Sequence, residues 1–128
     1  MEDRQVRGIM TREVVTIPVG SKLTDVVRTM CEARIHALVV TDESGEACGV
    51  VTKLDILHHF AKDLTAITVD EVMTPRLITI SPEARIAEAV ALMLTRRVHQ
   101  LVVAEDDPAR RRRPLGMVSV SDVVNQLC

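Results

Sequence analysis

Two seven-residue phrases carry the residues most capable of chemistry. "GVVTKLD" spans Gly49–Asp55 and "GMVSVSD" spans Gly116–Asp122. Each places a hydroxyl three residues before a carboxylate: Thr52 before Asp55, and Ser119 before Asp122. That spacing serves two chemistries. In a capping box the hydroxyl accepts an amide at the start of a helix and the acid reaches back to the capping residue. In a ligand site the same helix start favours an anion, the hydroxyl donates to a phosphate oxygen, and the acid accepts ribose hydroxyls. Both readings stay open on these residues alone. A second pair accompanies them, because "RIHALVV" and "RVHQLVV" put His36 and His99 in equivalent places.

Composition narrows the function classes. The chain has 128 residues, 47% hydrophobic and 27% charged, enough for a core without staples. Phe60 is the only aromatic residue, which removes the stacking platforms of most single-strand nucleic-acid binders. A net charge of −2 gives no global field for nucleic acid or membrane. No apolar run approaches a membrane span, and the charged "MEDRQVRG" start lacks the apolar region of a signal peptide. Cys31, Cys48 and Cys128 are odd in number and form no C-x-x-C, so a reduced cytoplasmic setting is expected. Cys31 continues an apolar helical stripe and is expected in the core. His58 and His59 are expected at the surface; adjacent residues diverge on a helix, and no further ligand stands at metal spacing, so no metal site is expected. No Gly-rich phosphate loop, G-x-S-x-G or H-E-x-x-H occurs, and the motif carboxylates occupy equivalent places rather than contrasting ones, so no catalytic residues and no enzyme are expected.

The elements that must position these residues are written twice. "VRGIMTREVVTI" at 6–17 aligns with "VDEVMTPRLITI" at 69–80, matching Met10 to Met73, and the two histidine runs keep the same offset of 63. The offset becomes 67 at the motif phrases, the extra residues falling in the polar stretch "EDDPARRRRP". The repeats therefore run 1–65 and 66–128. Each reads β-α-β-β-α: a short strand (14–17, 77–80), an amphipathic helix (Leu23, Val26, Val27, Met30, Cys31; Ile86, Ala89, Val90, Met93, Leu94), two strands, and a closing helix over 53–61 or from 120 to about 127. Short polar links join the two later strands as antiparallel hairpins. Reflection about each turn sets His36 nearly beside Thr52 and His99 beside Ser119, at the hairpin end that leads into the closing helix.

"IMTREVVTI", "RIHALVVTD" and "GVVTKLD", with "VMTPRLITI", "RVHQLVVAED" and "GMVSVSD", resemble two CBS domains over nearly the whole chain. The resemblance implies a stand-alone CBS pair, or Bateman module. Its mixed α/β fold has two β-α-β-β-α repeats packed through their sheets with pseudo-two-fold symmetry, and its clefts bind adenine nucleotides. Carried over by position, Asp55 and Asp122 hold ribose hydroxyls, Thr52 and Ser119 face phosphate, and Val50 and Met117, on the same strand face, press on the base. His36 and His99 match a phosphate-contacting position. Where nucleotide-binding relatives have arginine next, this chain has Ala37 and Gln100, which removes a fixed bidentate cation. Each cleft draws on both repeats, with His99 expected near the Asp55 site and His36 near the Asp122 site. Ile35, Val98, Thr11 and Thr74 line the clefts. The implied function is reversible binding of AMP, then ADP or ATP, with S-adenosylmethionine as a further ligand, and a report of occupancy to an unnamed regulated partner. A disc-like homodimer is implied, and no membrane. Two alternatives are a ligand-free scaffold whose phrases only cap helices, and nucleic-acid binding through Arg110–Arg113, which the acidic neighbours Glu105, Asp106 and Asp107 disfavour.

Overall fold

Short β-branched runs alternate with amphipathic helices, and the chain folds accordingly into two three-stranded sheets flanked by helices. The computed structural model describes residues 4–12, 14–74, 77–105 and 113–128. The chain forms two units, Val15–Leu77 and a split unit of Met1–Val14 with Ile78–Cys128. The residues that lead into each repeat's first strand thus belong to the unit built on the other repeat's sheet.

In the continuous unit, β1 (Thr16–Pro18) runs parallel to β2 (Ala37–Thr41), and β2 pairs antiparallel with β3 (Ala47–Thr52). The crossover between β1 and β2 is α1 (Leu23–Ala33), and β3 leads directly into α2 (Lys53–Leu57). The leader of the second repeat adds α3 (Val69–Val72). Ile17, Leu23, Val26, Met30, Leu38, Val40, Val51 and Val69 form this unit's core. The split unit repeats the plan. It has β4 (Thr79–Ile80), α4 (Ile86–Arg96), β5 (Gln100–Ala104), β6 (Pro114–Ser119) and α5 (Val120–Val124), with β4 parallel to β5 and β5 antiparallel to β6. Val6, in a 3-10 turn over Val6–Gly8, is fully buried in its core with Ile86, Ala89, Leu101 and Val118.

Three expectations are corrected, the first two in both repeats. First, Cys31 is exposed and Leu94 is 74% exposed. At about 100° per residue, positions i, i+3 and i+7 cluster on one side of the helix, whereas i+8 falls past its edge; Leu23, Val26 and Met30 are buried accordingly, as are Ile86, Ala89 and Met93. Second, the closing helices are shorter than the apolar pattern suggests. α2 ends at Leu57; the His58 amide still reaches Leu54 O (3.2 Å), and the amides after it bond three residues back (His59 N to Ile56 O, 2.9 Å; Phe60 N to Leu57 O, 3.1 Å). α5 ends at Val124 and passes into a 3-10 turn over Asn125–Leu127. Third, His59 is half-buried, and its Nδ1 is enclosed without a hydrogen-bond partner among the described residues.

Candidate functional site

The site residues of the continuous unit are set by β3. Its side chains alternate after Gly49, so Val51 enters the core while Val50 and Thr52 lie half-buried on the other face; Cys48, before the glycine, packs against the core. Val50 is clasped by Thr74, whose amide donates to Val50 O at 2.9 Å and whose carbonyl accepts from Val50 N at 3.3 Å. That approach is why the phrase begins with glycine. A Cβ at Gly49 would stand 2.6 Å from Met73 Sδ and 3.0 Å from Thr74 O. β3 then ends in a closed capping box. Asp55 N donates to Thr52 Oγ1 (3.2 Å), and Asp55 Oδ2 accepts both Thr52 N (2.8 Å) and the Thr52 hydroxyl (3.0 Å).

The split unit builds the same arrangement from Met117, Ser119, Asp122 and Thr11. Thr11 N donates to Met117 O (2.8 Å) and Met117 N to Thr11 O (3.0 Å). A Cβ on Gly116 would meet Thr11 O at 2.6 Å. Asp122 N donates to Ser119 Oγ (3.2 Å) and Ser119 N to Asp122 Oδ2 (2.8 Å).

The histidines sit where the closing helices begin, one residue off the expected register. Ala37 pairs with Thr52 and Gln100 with Ser119. Irregularities in the pairing between Val40 and Thr41, and between Val103 and Ala104, put one extra residue, Cys48 or Leu115, into the later strand of each hairpin. The histidine carbonyls accept the first helical amides, Lys53 N to His36 O at 3.0 Å and Val120 N to His99 O at 2.9 Å. Each histidine's place is fixed from the other side by a left-handed residue, Arg34 or Arg97 (φ 55°, ψ 48°), which ends the preceding helix and turns the chain through Ile35 or Val98 into the strand. Both histidine side chains are exposed. Thr74, Val50, Thr52, Asp55, Ile35 and His36 thus belong to one unit, and Thr11, Met117, Ser119, Asp122, Val98 and His99 to the other.

The boxes decide what each group can still do. Each carboxylate folds back onto its capping amide through Oδ2, so capping is realised in both copies. Oδ1 of Asp55 and of Asp122 makes no hydrogen bond among the described residues and keeps its acceptor capacity. The Thr52 proton is committed to Asp55, whereas the Ser119 hydroxyl has no acceptor among the described residues. Burial pushes the Cys48 thiol above its ordinary pKa, with the Asp42 and Asp70 carboxylates adding to the shift. Sequence reasoning missed the packing of Met10 and Met73 beside the motif glycines; the shared "MT" of the two leaders was the available signal. Arg110, Arg111 and Arg112, which carry most of the nucleic-acid alternative, lie outside the described residues. No cluster of metal-ligating side chains occurs among the described residues. Among them, too, no helix is long and apolar enough to cross a membrane.

The fold and its two repeats are shared with known proteins. Homoserine O-acetyltransferase of Methanohalobium evestigatum is 30% identical over 118 residues, which are 92% of this chain and 23% of that protein. The chain spans about a quarter to a third of the length of the curated relatives it matches first. The CBS domain pair of protein MJ0100, solved with 5′-methylthioadenosine and S-adenosyl-L-methionine, superposes with a TM-score of 0.85 at 22% identity, covering 97% of this chain and 95% of that one. The hexameric CBS-CP12 protein of bloom-forming cyanobacteria gives 0.84 at 27% identity, covering 97% and 68%. The CBS domain profile matches residues 6–62 and again 69–128. With both repeats matched and the motif built twice over, the chain belongs to the CBS domain family and is a CBS domain pair.

Proposed function

We propose that each capping box is also half of a ligand site, and that the chain binds adenosine-bearing ligands reversibly. AMP is the first candidate, followed by ADP, ATP and S-adenosylmethionine. The observation that carries this reading is the leftover Oδ1 on both Asp55 and Asp122. A capping box uses one carboxylate oxygen; the other can accept a ribose hydroxyl without breaking the cap. Val50 and Met117 lie two residues before the hydroxyls on the same strand faces, where an apolar base can rest. The ligands named for the MJ0100 pair share an adenosine moiety, which supports this choice of ligand class. Ala37 and Gln100 leave the phosphate region without arginine, favouring ligands of few phosphates.

The role is regulatory rather than catalytic. Occupancy favours one arrangement of the pair, and a partner protein or a covalently attached domain reads that arrangement. Self-association belongs to the same proposal. Leu57 and Phe60 after β3, and Val124 and Leu127 after β6, occupy equivalent positions and are 63%, 80%, 50% and 73% exposed. Such apolar faces suit a homodimer. A thermal-shift series with AMP, ADP, ATP, 5′-methylthioadenosine and S-adenosylmethionine tests the ligand. At a hundredfold excess over Kd, a bound ligand stabilises the native state by about 2.7 kcal/mol, roughly 10 °C for a chain this size. No shift with any of the five leaves the scaffold reading, in which the phrases only cap helices.

A further inference from the structure

A second place in the split unit differs between the repeats more sharply than the motif phrases do. An open cavity of about 330 Å³ is lined by Arg7, Met10, Arg12, Pro82, Glu105 and Leu115. It lies toward the turn end of the β5–β6 hairpin, whereas Ser119 and Asp122 mark the other end. Met10, Pro82 and Leu115 give it an apolar side, and two guanidinium groups reach it against the single carboxylate of Glu105. Arg7 makes one long contact with Glu83 (3.7 Å) between side chains 50% and 74% exposed, a pair of little strength that a ligand can displace. Arg12 is exposed and has no hydrogen bond or ion pair among the described residues.

The equivalent positions of the first repeat show that the fold does not require this chemistry. Met10 corresponds to Met73, which is retained. Arg7 corresponds to Asp70, Arg12 to Pro75, Glu105 to Asp42 and Leu115 to Cys48. Asp42 and Asp70 do act together there, since both carboxylates bear on the Cys48 thiol. One copy of this surface carries two acids around a cysteine, and the other keeps one acid, Glu105, and adds two arginines beside Met10, Pro82 and Leu115. We propose that the Arg7–Arg12 cavity is a binding site for a small organic anion, a carboxylate or phosphate monoester with a short apolar body, distinct from the two adenosine sites. The volume suits a ligand at the small end of the usual range. Guanidinium is the cation best matched to either head group, and the apolar lining selects against bare inorganic ions.

The test is a chemical-shift titration of the 128-residue chain with hexyl phosphate, hexanoate and hexanol. Saturable shifts of the Met10 and Leu115 amides by at least one of the two anions and not by hexanol, weakened about tenfold in Arg12→Gln, are expected. The stronger anion identifies the head group. The melting temperature and the AMP titration of Arg12→Gln should match those of the parent, so failure of this site is separable from failure of the adenosine sites. Absence of shifts with both anions, equal binding of hexanol, or unchanged affinity in Arg12→Gln overturns the assignment.

Discussion

Replacing Gly116 by alanine tests whether the approach of the leader segment to β6 holds the split unit together. The added Cβ would stand 2.6 Å from Thr11 O, 3.0 Å from Met10 Sδ and 3.3 Å from Met10 Cγ. Contact with a carbonyl oxygen at that distance is not tolerated, and the oxygen is main chain, so the whole Met10–Thr11 segment must move. Movement stretches the two hydrogen bonds between Thr11 and Met117 (2.8 and 3.0 Å), each worth about 1 kcal/mol. It also disturbs Met10, which packs on the core of Val6, Ile9 and Val118. Overpacking of this kind costs about 1–3 kcal/mol, and with the strained bonds Gly116→Ala should lose about 2–4 kcal/mol, a fall in Tm of roughly 8–15 °C. Gly49→Ala provides the internal comparison. There the shortest contact, 2.6 Å, is to Met73 Sδ, the flexible end of a side chain, and Thr74 O stands at 3.0 Å. A loss of about 1–2 kcal/mol is expected. Urea denaturation of both variants measures the difference. Equal stability of Gly116→Ala and the parent, or a larger loss in Gly49→Ala, would refute the reasoning.

Other consequences are simpler to state. Arg97→Gly should stabilise the chain by about 1 kcal/mol, because arginine occupies a left-handed position (φ 55°) that glycine enters without steric cost; a fall in Tm would contradict that account of the helix end. Ser119→Ala should cost about 1 kcal/mol by opening the capping box, read as a shift in the urea midpoint. Since its pKa is raised by burial and by Asp42 and Asp70, Cys48 should carry less thiolate than an ordinary cysteine at any pH below that pKa. Iodoacetamide at pH 8 should therefore label the exposed Cys31 and Cys128 first and Cys48 last, as followed by mass spectrometry; equal rates would contradict the burial argument.

Much of this was legible because the chain states its pattern twice. Leu23, Val26 and Met30 recur as Ile86, Ala89 and Met93, and the hairpins follow from apolar runs joined by polar turns. The unreadable parts depend on contacts between segments distant in sequence. Nothing local in "VRGIMT" or "VDEVMT" says which sheet it will join, yet Val6 and Val69 are each fully buried in a core. The bulges at Cys48 and Leu115 near each turn have no distinctive sequence mark, whereas the pairs Ala37–Thr52 and Gln100–Ser119 are the mirror positions about the turns. Arg34 and Arg97 hold conformations in which glycine would be expected, so the turn toward the histidines has no glycine to signal it. The phrases themselves could be read as cap or as site. The structure shows that the cap is made with one carboxylate oxygen and leaves the other without a hydrogen bond among the described residues.

Calorimetric titration of AMP into the parent and into Asp55→Asn/Asp122→Asn tests that division of labour most directly. An asparagine carbonyl can still accept the capping amide, whereas its NH2 group donates where the carboxylate oxygen would accept a ribose hydroxyl. The account predicts saturable binding to the parent, loss of that binding in the double variant, and a melting temperature changed by no more than a few degrees. Undiminished AMP binding by the double variant would contradict it.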